Sequence, residues 1–536
     1  MNGKVKIALL VTGLCCVALL GLGVAEYEQA IVTGAGERVW HHELAADRDV
    51  TVGTTSVPED GIVDESFTSH LPLVIIDTMG EEIVNYKVRD EETSSYVYQE
   101  GVDPYTDIKI SILDSADGEN RADDLPTQSS YGRIKVRGNW SSDTMFPKLQ
   151  YLLKLETEDG ENNPLSVLGM DPSDTWILNG TMIDNTYLRN YLALNMAGEL
   201  DPFTPDIRMC EVLLKRDNGY EYIGLYGMYE KIEQGEGRVD IEPVSNPIEI
   251  SDRSYILQRD RREPNGYSMS VWSTQHQRSE NWINLEYPSS ENVTPEYWEY
   301  IQEEILEIEE VLYSDVAEEF VRYRSMLDVD SFVDYFILNE FFPNYDAGWN
   351  STFLYKNEKG LVAIGPVWDF DAAMDNYNEG LLAIRLFVFY QAPWFDRLVR
   401  DEFFVNKVTR RYQELRGGLL SDENVQEKIN QAAAFVEYPA KRDQSRWAAV
   451  DPFTLKVHEE EETGLAIARE QSTWEGEVQR LKDVLLLHGE FMDNNLDAEM
   501  SSYVEYRPVI SSLGGWLMIT AFFVSIILVQ RHRKGM

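Results

Sequence analysis

The chain has 536 residues, of which 93 are acidic and 47 basic, giving a formal charge of −46. That balance excludes nonspecific nucleic-acid binding, which needs a basic face, and suits basic partners, divalent cations or plain solubility. At 43% hydrophobic and 11% aromatic the chain can bury large cores over most of its length, and that length fits two or three domains.

Lys4 and Lys6 precede an apolar run over residues 7–25, so residues 1–25 predict a signal peptide or an uncleaved signal anchor. Residues 26–66 are polar and weakly periodic, as in a linker or lead-in. A β-rich lobe is expected over 67–245, with strands at 71–76, 107–112, 131–136, 151–155 and 175–178. A helix is expected over about 185–199, where Leu188, Tyr191, Leu192 and Leu194 recur at helical spacing. A hairpin follows, its strands at 211–214 and 222–229 joined around Asp217-Asn-Gly219.

From 246 to 495 the expected lobe is helical, with helices over about 296–312, 329–341, 394–416 and 423–488. Strands first and helices later describe an α+β fold of two lobes with a cleft between them. Residues 496–508 read as a juxtamembrane linker. Residues 509–529 form 21 positions without a charge, enough to span a bilayer. The basic tail 530–536 predicts a cytoplasmic end and a main domain outside the membrane. Of three cysteines, two lie in the leader and only Cys210 in the body, which removes a disulfide framework and zinc ribbons.

The chemistry concentrates in Asn344-Tyr-Asp-Ala-Gly-Trp-Asn350 and Gly365-Pro-Val-Trp-Asp-Phe-Asp371. Two short strands, 352–356 and 361–364, would form a hairpin that brings both acidic blocks to one end of a sheet. Asp346, Asn350, Asp369 and Asp371 then supply hard oxygen donors and a possible base. Protein kinases use the same roles: a catalytic-loop Asp, an Asn shortly after, and an Asp beyond a hairpin, the last two holding magnesium. Asp371 is either a second metal ligand or an acceptor for turn amides.

A second block runs from Arg137 to Lys154, with a polar turn flanked by Arg137, Lys148 and Lys154. Turn amides and strand-borne cations can cradle phosphate; an ordinary hairpin is the alternative. Arg189 suits either a phosphate or a structural ion pair, and Trp176, Trp349 and Trp368 read as core. No histidine cluster, Gly-x-Ser-x-Gly elbow or Walker loop occurs, which removes those hydrolase and P-loop classes.

Taken together, Arg137-Gly-Asn139, Phe146-Pro-Lys148, Trp176-Ile-Leu-Asn179, Leu188-Arg-Asn190, Gly224-Leu-Tyr-Gly-Met-Tyr-Glu-Lys231 and Gly365-Pro-Val-Trp-Asp-Phe-Asp371 resemble the spore coat protein H (CotH) kinase family, over roughly residues 67–420. The resemblance implies an atypical protein-kinase-like fold that uses ATP with magnesium or manganese to phosphorylate Ser/Thr in partner proteins. On matching positions it implies Asp346 as the catalytic Asp and Asp369 as a metal ligand, with Asn350 and Asp371 beside it. Arg137, Lys148 or Lys154 would meet phosphate, and Glu230 would be an ion-pair partner. The acidic surface suits a basic, Ser/Lys-rich protein substrate. The alternatives are an inactive kinase-like assembly protein of a spore coat or cell envelope, and a carbohydrate-active enzyme using paired carboxylates.

Overall fold

The computed structural model describes residues 38–507 except 46–48, 91–95, 117, 140–145, 181, 245–248, 264–265, 277–280, 377–383 and 448–472. The leader, the apolar run 509–529 and the polar turn 140–145 therefore lie outside the described residues.

Seven strands build the first half: β1 (Leu73–Asp77), β2 (Thr106–Leu113), β3 (Gln128–Arg137), β4 (Gln150–Glu156), β5 (Thr175–Asn179), β6 (Ile207–Arg216) and β7 (Gly219–Glu230). They pair in the order β7-β5-β4-β3-β2-β1-β6, and β6 also pairs with β7, so the sheet closes on itself. All contacts are antiparallel except β1 with β6, where Glu211 lies opposite Leu73. Alternation along each strand fills the barrel. In β3, Ile134 and Val136 point inward while Arg133, Lys135 and Arg137 are more exposed. Cys210 is fully buried in the same interior, and that burial pushes its thiol far up. Gly224, at φ +127°, bends β7 where a Cβ would strike Asp443 and Lys148.

The second half contains a sheet of β8 (Tyr255–Arg261), β9 (Ser268–Met269), β10 (Asn281–Tyr287), β11 (Thr352–Lys356) and β12 (Val362–Ile364), ordered β9-β10-β8-β11-β12. Its helices include α1 (Arg189–Ala197), packed between the halves, then α2 (Pro295–Leu312), α3 (Val329–Phe341), α4 (Glu402–Arg416), α5 (Asp422–Trp447) and α6 (Trp474–Tyr503). Helix α3 is apolar on nearly every side and buried from Phe332 to Phe341, as a central helix must be. Asp328 caps it by accepting from the amides of Asp330 and Ser331.

The expected fold is corrected on several points. The β-rich half is a closed barrel rather than an open kinase-like lobe, because the parallel β1–β6 pair joins strands about 135 residues apart, a contact no local pattern reveals. The two halves are also not separate lobes, since α5 is tied to β6 by the Arg442–Glu211 ion pair (2.5 Å), to the loop before β4 by Lys148–Asp443 (2.7 Å) and to β7 by the Leu225 amide, which donates to Asp443. Among the described residues no helix is long and apolar enough to cross a membrane, so the structure gives no support to the predicted terminal membrane helix, whose residues 509–529 lie outside those described. The strands β8 to β10 break up what the sequence predicts as a helical region. The expected 394–416 helix is a short turn, Phe395–Leu398, followed by α4.

Candidate active site

A cleft of about 1160 Å³ runs between the outer face of β3 and β4 and the second sheet. Its barrel wall carries Lys135, Arg137, Gln150 and Leu152, with Lys87, Arg89 and Tyr98 from a short neighbouring hairpin. Its opposite wall carries Asp260, Glu263 and Glu286, and its floor carries Asp346, Asn350, Asp369 and Asp371.

The floor is built as the hairpin pattern predicts. Helix α3 ends at Phe341 and delivers the loop to Asp346; β11 and β12 then return the chain to Asp369. Gly348, at φ +78°, and Ser351, at φ +49°, turn this loop, and the Gly348 amide donates to Thr352 Oγ1 at 2.7 Å. Asn350 Nδ2 donates to Asp346 Oδ1 at 2.8 Å. Ser351 Oγ donates to Asp369 Oδ2 at 3.1 Å.

Asp369 sits at φ +66°, a conformation that a non-glycine residue holds only when its surroundings impose it. Those surroundings come from elsewhere in the chain. Asn344 Nδ2 donates to the Asp369 carbonyl at 3.2 Å, and Asn190 Oδ1 accepts the Phe370 amide at 2.7 Å. Arg189 Nε donates to the Ala373 carbonyl at 3.2 Å while its Nη1 pairs with Asp184 at 2.5 Å. Arg189 is thus a fully buried structural cation, and the Leu188-Arg-Asn190 block positions the Asp369 loop.

Burial and the nearby Asp346 carboxylate hold the Asp369 carboxyl above its ordinary range. Burial, with Asp346 and Asp369 adding to it, likewise raises Asp260 to about 6. On the facing wall, burial with the Arg137 and Lys135 cations lowers Lys87 to about 8. Burial and the Lys231 charge lower Lys135. Carboxylates crowd the floor and cations crowd the wall above it. Asp369, Asp260, Lys87 and Lys135 each resist their own charge until an opposite charge enters.

Among the described residues no three His, Cys, Asp or Glu side chains converge to hold a metal ion unaided. The floor instead offers the oxygens of Asp369, Asp371 and Asn350, with like-charge crowding at Asp369 that a cation would relieve. Such a set fits magnesium or manganese, which take few carboxylates and complete their shell with phosphate and water.

Of the residues singled out from the sequence, the cleft brings together Arg137, Asp346, Asn350, Asp369 and Asp371. Lys148, Lys154 and Glu230 do not line it. Lys148 pairs with Asp443, and Glu230 pairs with Arg238 at 2.6 Å. Lys154 lies on β4 opposite Arg133 and Thr175. Trp176 is core, while Trp368 is half-buried and lines the cleft. Sequence reasoning missed Lys87, Lys135, Asp260 and Glu286. Lys135 carried a usable signal, since Arg133-Ile-Lys-Val-Arg137 alternates and places three cations on one strand face.

The cleft thus sets an acidic floor of Asp346, Asp369 and Asp371 against a cationic wall of Lys87, Lys135 and Arg137 on the outer side of the barrel. The family described as CotH kinase protein matches residues 134–492, well over half of the 536 residues. The chain belongs to that family. The matched span opens within β3 and contains every floor residue, whereas the hairpin bearing Lys87 precedes it. No curated protein matches the chain.

Proposed function

We propose that the protein is a phosphotransferase that moves the γ-phosphoryl group of ATP to a Ser or Thr hydroxyl of a partner protein. The observation that carries this reading is the convergence of Asp346, Asn350, Asp369 and Asp371 beneath Lys87, Lys135 and Arg137 in one cleft. Arg137, Lys135 and Lys87 take the phosphate oxygens, where fixed cations form short charge-assisted hydrogen bonds. Asp346 accepts the proton of the attacking hydroxyl as the new P–O bond forms and the bond to the ADP oxygen breaks. Before an ion is bound, Asn350 holds Asp346 by the 2.8 Å hydrogen bond. Asp369, Asp371 and Asn350 would hold magnesium or manganese, which supplies Lewis-acid neutralisation of the phosphate charge when bound. Positioning and charge carry most of the catalysis in this reaction, and the floor supplies both.

The formal charge of −46 and the carboxylates Asp260, Glu263 and Glu286 on the cleft wall suit an acceptor segment rich in Ser and Lys. Transfer of labelled γ-phosphate to a Ser/Lys-rich peptide, with magnesium and ATP, tests the reading. Asp346→Asn and Asp369→Ala should each abolish it. Label transfer that survives both substitutions, or its absence from the unaltered protein, would leave the family's scaffold without this chemistry.

A further inference from the structure

Behind the floor, at the start of β10, lies Asn281, which is 3% exposed. Its Nδ2 donates to Asn350 Oδ1 at 2.5 Å, and Asn350 Nδ2 in turn donates to Asp346 Oδ1 at 2.8 Å. Asn281 Oδ1 is buried and has no hydrogen-bond partner. Buried acceptors of this kind are uncommon and costly, and they call for a reason.

We propose that Asn281 is a positioning residue whose amide sets whether Asn350 presents nitrogen or oxygen to the floor of the cleft. The reasoning rests on the reading of Asn350 as a cation ligand. As arranged here, the Asn350 oxygen is taken up by Asn281 and its nitrogen faces Asp346. Turning the Asn350 amide over would set its oxygen against Asp346 Oδ1, two acceptors at hydrogen-bonding range. That arrangement is repulsive unless a positive charge lies between them. The same turn would aim Asn350 Nδ2 back at Asn281, where a second turned amide offers the otherwise idle Oδ1.

The two asparagines thus have two arrangements, and the hydrogen bond between them survives in both. Without a cation, Asn350 donates to Asp346. With one, both amides reverse, Asn350 Oδ1 joins the ion, and Asn281 Oδ1 gains its donor. Asn281 does not line the cleft, so its influence runs through Asn350. An aspartate at 281 can only accept at neutral pH. It therefore holds Asn350 with its oxygen outward before any ion arrives.

Manganese binding to the full chain, without nucleotide, tests this by calorimetry or by loss of the free-ion resonance signal. Asn281→Asp should bind Mn²⁺ about tenfold more tightly than the unaltered protein. Its added charge acts without Asn350, so the comparison is repeated in the Asn350→Ala background. A gain at least about threefold smaller there supports the relay. An equal gain in both backgrounds, or no gain at all, overturns it and leaves the cation site standing. Mn²⁺ binding that is absent from the unaltered protein, or unchanged by Asp369→Ala, overturns the site and the relay together. If Asn281→Asp fails to fold, a manganese-loaded crystal structure of the unaltered chain decides. Asn350 within coordinating distance of the ion while still bonded to Asn281 supports the proposal, and any other placement of either side chain overturns it.

Discussion

Lys148 Nζ lies 2.7 Å from Asp443 Oδ1, and both side chains are almost wholly removed from water. The pair ties β4's leading loop to α5, and Asp443 also accepts the Leu225 amide at 2.7 Å and the Tyr187 hydroxyl at 2.9 Å. Removing the ammonium leaves a buried carboxylate with no counter-charge. Breaking such a pair costs about 3–5 kcal/mol. Lys148→Met should therefore lower stability by that order in urea unfolding while leaving the affinity of the folded protein for ATP unchanged. A large loss of ATP affinity at constant stability would contradict this assignment.

The cationic wall predicts the opposite pattern. Lys135 and Arg137 are half-buried on the cleft face of β3; Lys135 is crowded by the Lys231, Arg133 and Arg137 cations, whereas Arg137 faces the Asp369 and Asp371 carboxylates. A hydrogen bond to a charged group contributes about 1.5–3 kcal/mol. Lys135→Ala and Arg137→Ala should each raise the Kd for ATP about tenfold or more. Stability in the absence of nucleotide should hold or rise in Lys135→Ala, because one of several crowded cations has gone. Titration calorimetry and thermal melts on the same preparations would separate the two effects.

The floor of the site was legible because its signal is local. Asp346, Asn350, Asp369 and Asp371 flank a short hairpin, and the turn Asn357-Glu-Lys-Gly360 between apolar strands marks it in the sequence. Lys148 misleads for a physical reason. Its counter-ion Asp443 lies 295 residues away, and no spacing rule connects a lysine before a strand to the end of a distant helix. Barrel closure escapes for the same reason, since β1 and β6 meet only in space. The β8–β10 strands were hidden by polar composition: Gln258, Arg259, Asp260 and Arg261 interrupt the apolar run. Gln258, Asp260 and Arg261 are tolerated there because they line the charged cleft, and Arg259 because Ser273 Oγ accepts from it and the Glu309 carboxylate lies beside it.

Asn190 offers a test of how the Asp369 loop is held. Its Oδ1 is the acceptor for the Phe370 amide, next to a residue kept at φ +66°. Asn190→Leu strands that amide in a buried position, a loss of about 1–3 kcal/mol, and frees the strained aspartate to relax. Small misplacements at a reacting centre cost about a hundredfold in rate. The expected outcome is a fall in kcat of that order with little change in KM for ATP, because the cationic wall is untouched. Equal losses in kcat and KM would show that the loop carries binding as well.

Asp260 predicts how stability follows pH in the absence of divalent ions. It is 8% exposed; its Oδ1 accepts the Arg261 amide at 2.7 Å. Burial raises its carboxyl from 3.8 to about 6, with Asp346 and Asp369 adding like charge. The folded state therefore holds this proton more tightly than the unfolded chain. By linkage, its contribution is fully present below 3.8 and is lost as pH rises through about 6. Over that interval the loss is of order 3 kcal/mol at most, since one unit corresponds to about 1.36 kcal/mol. Asp260→Asn keeps the acceptor for the Arg261 amide but cannot ionise. In EDTA, urea unfolding across this range should show the unaltered protein losing ground to the variant as pH rises, with the two nearest at the acid end. Parallel curves would mean that Asp260 ionises freely and that the acidic wall carries no such burden.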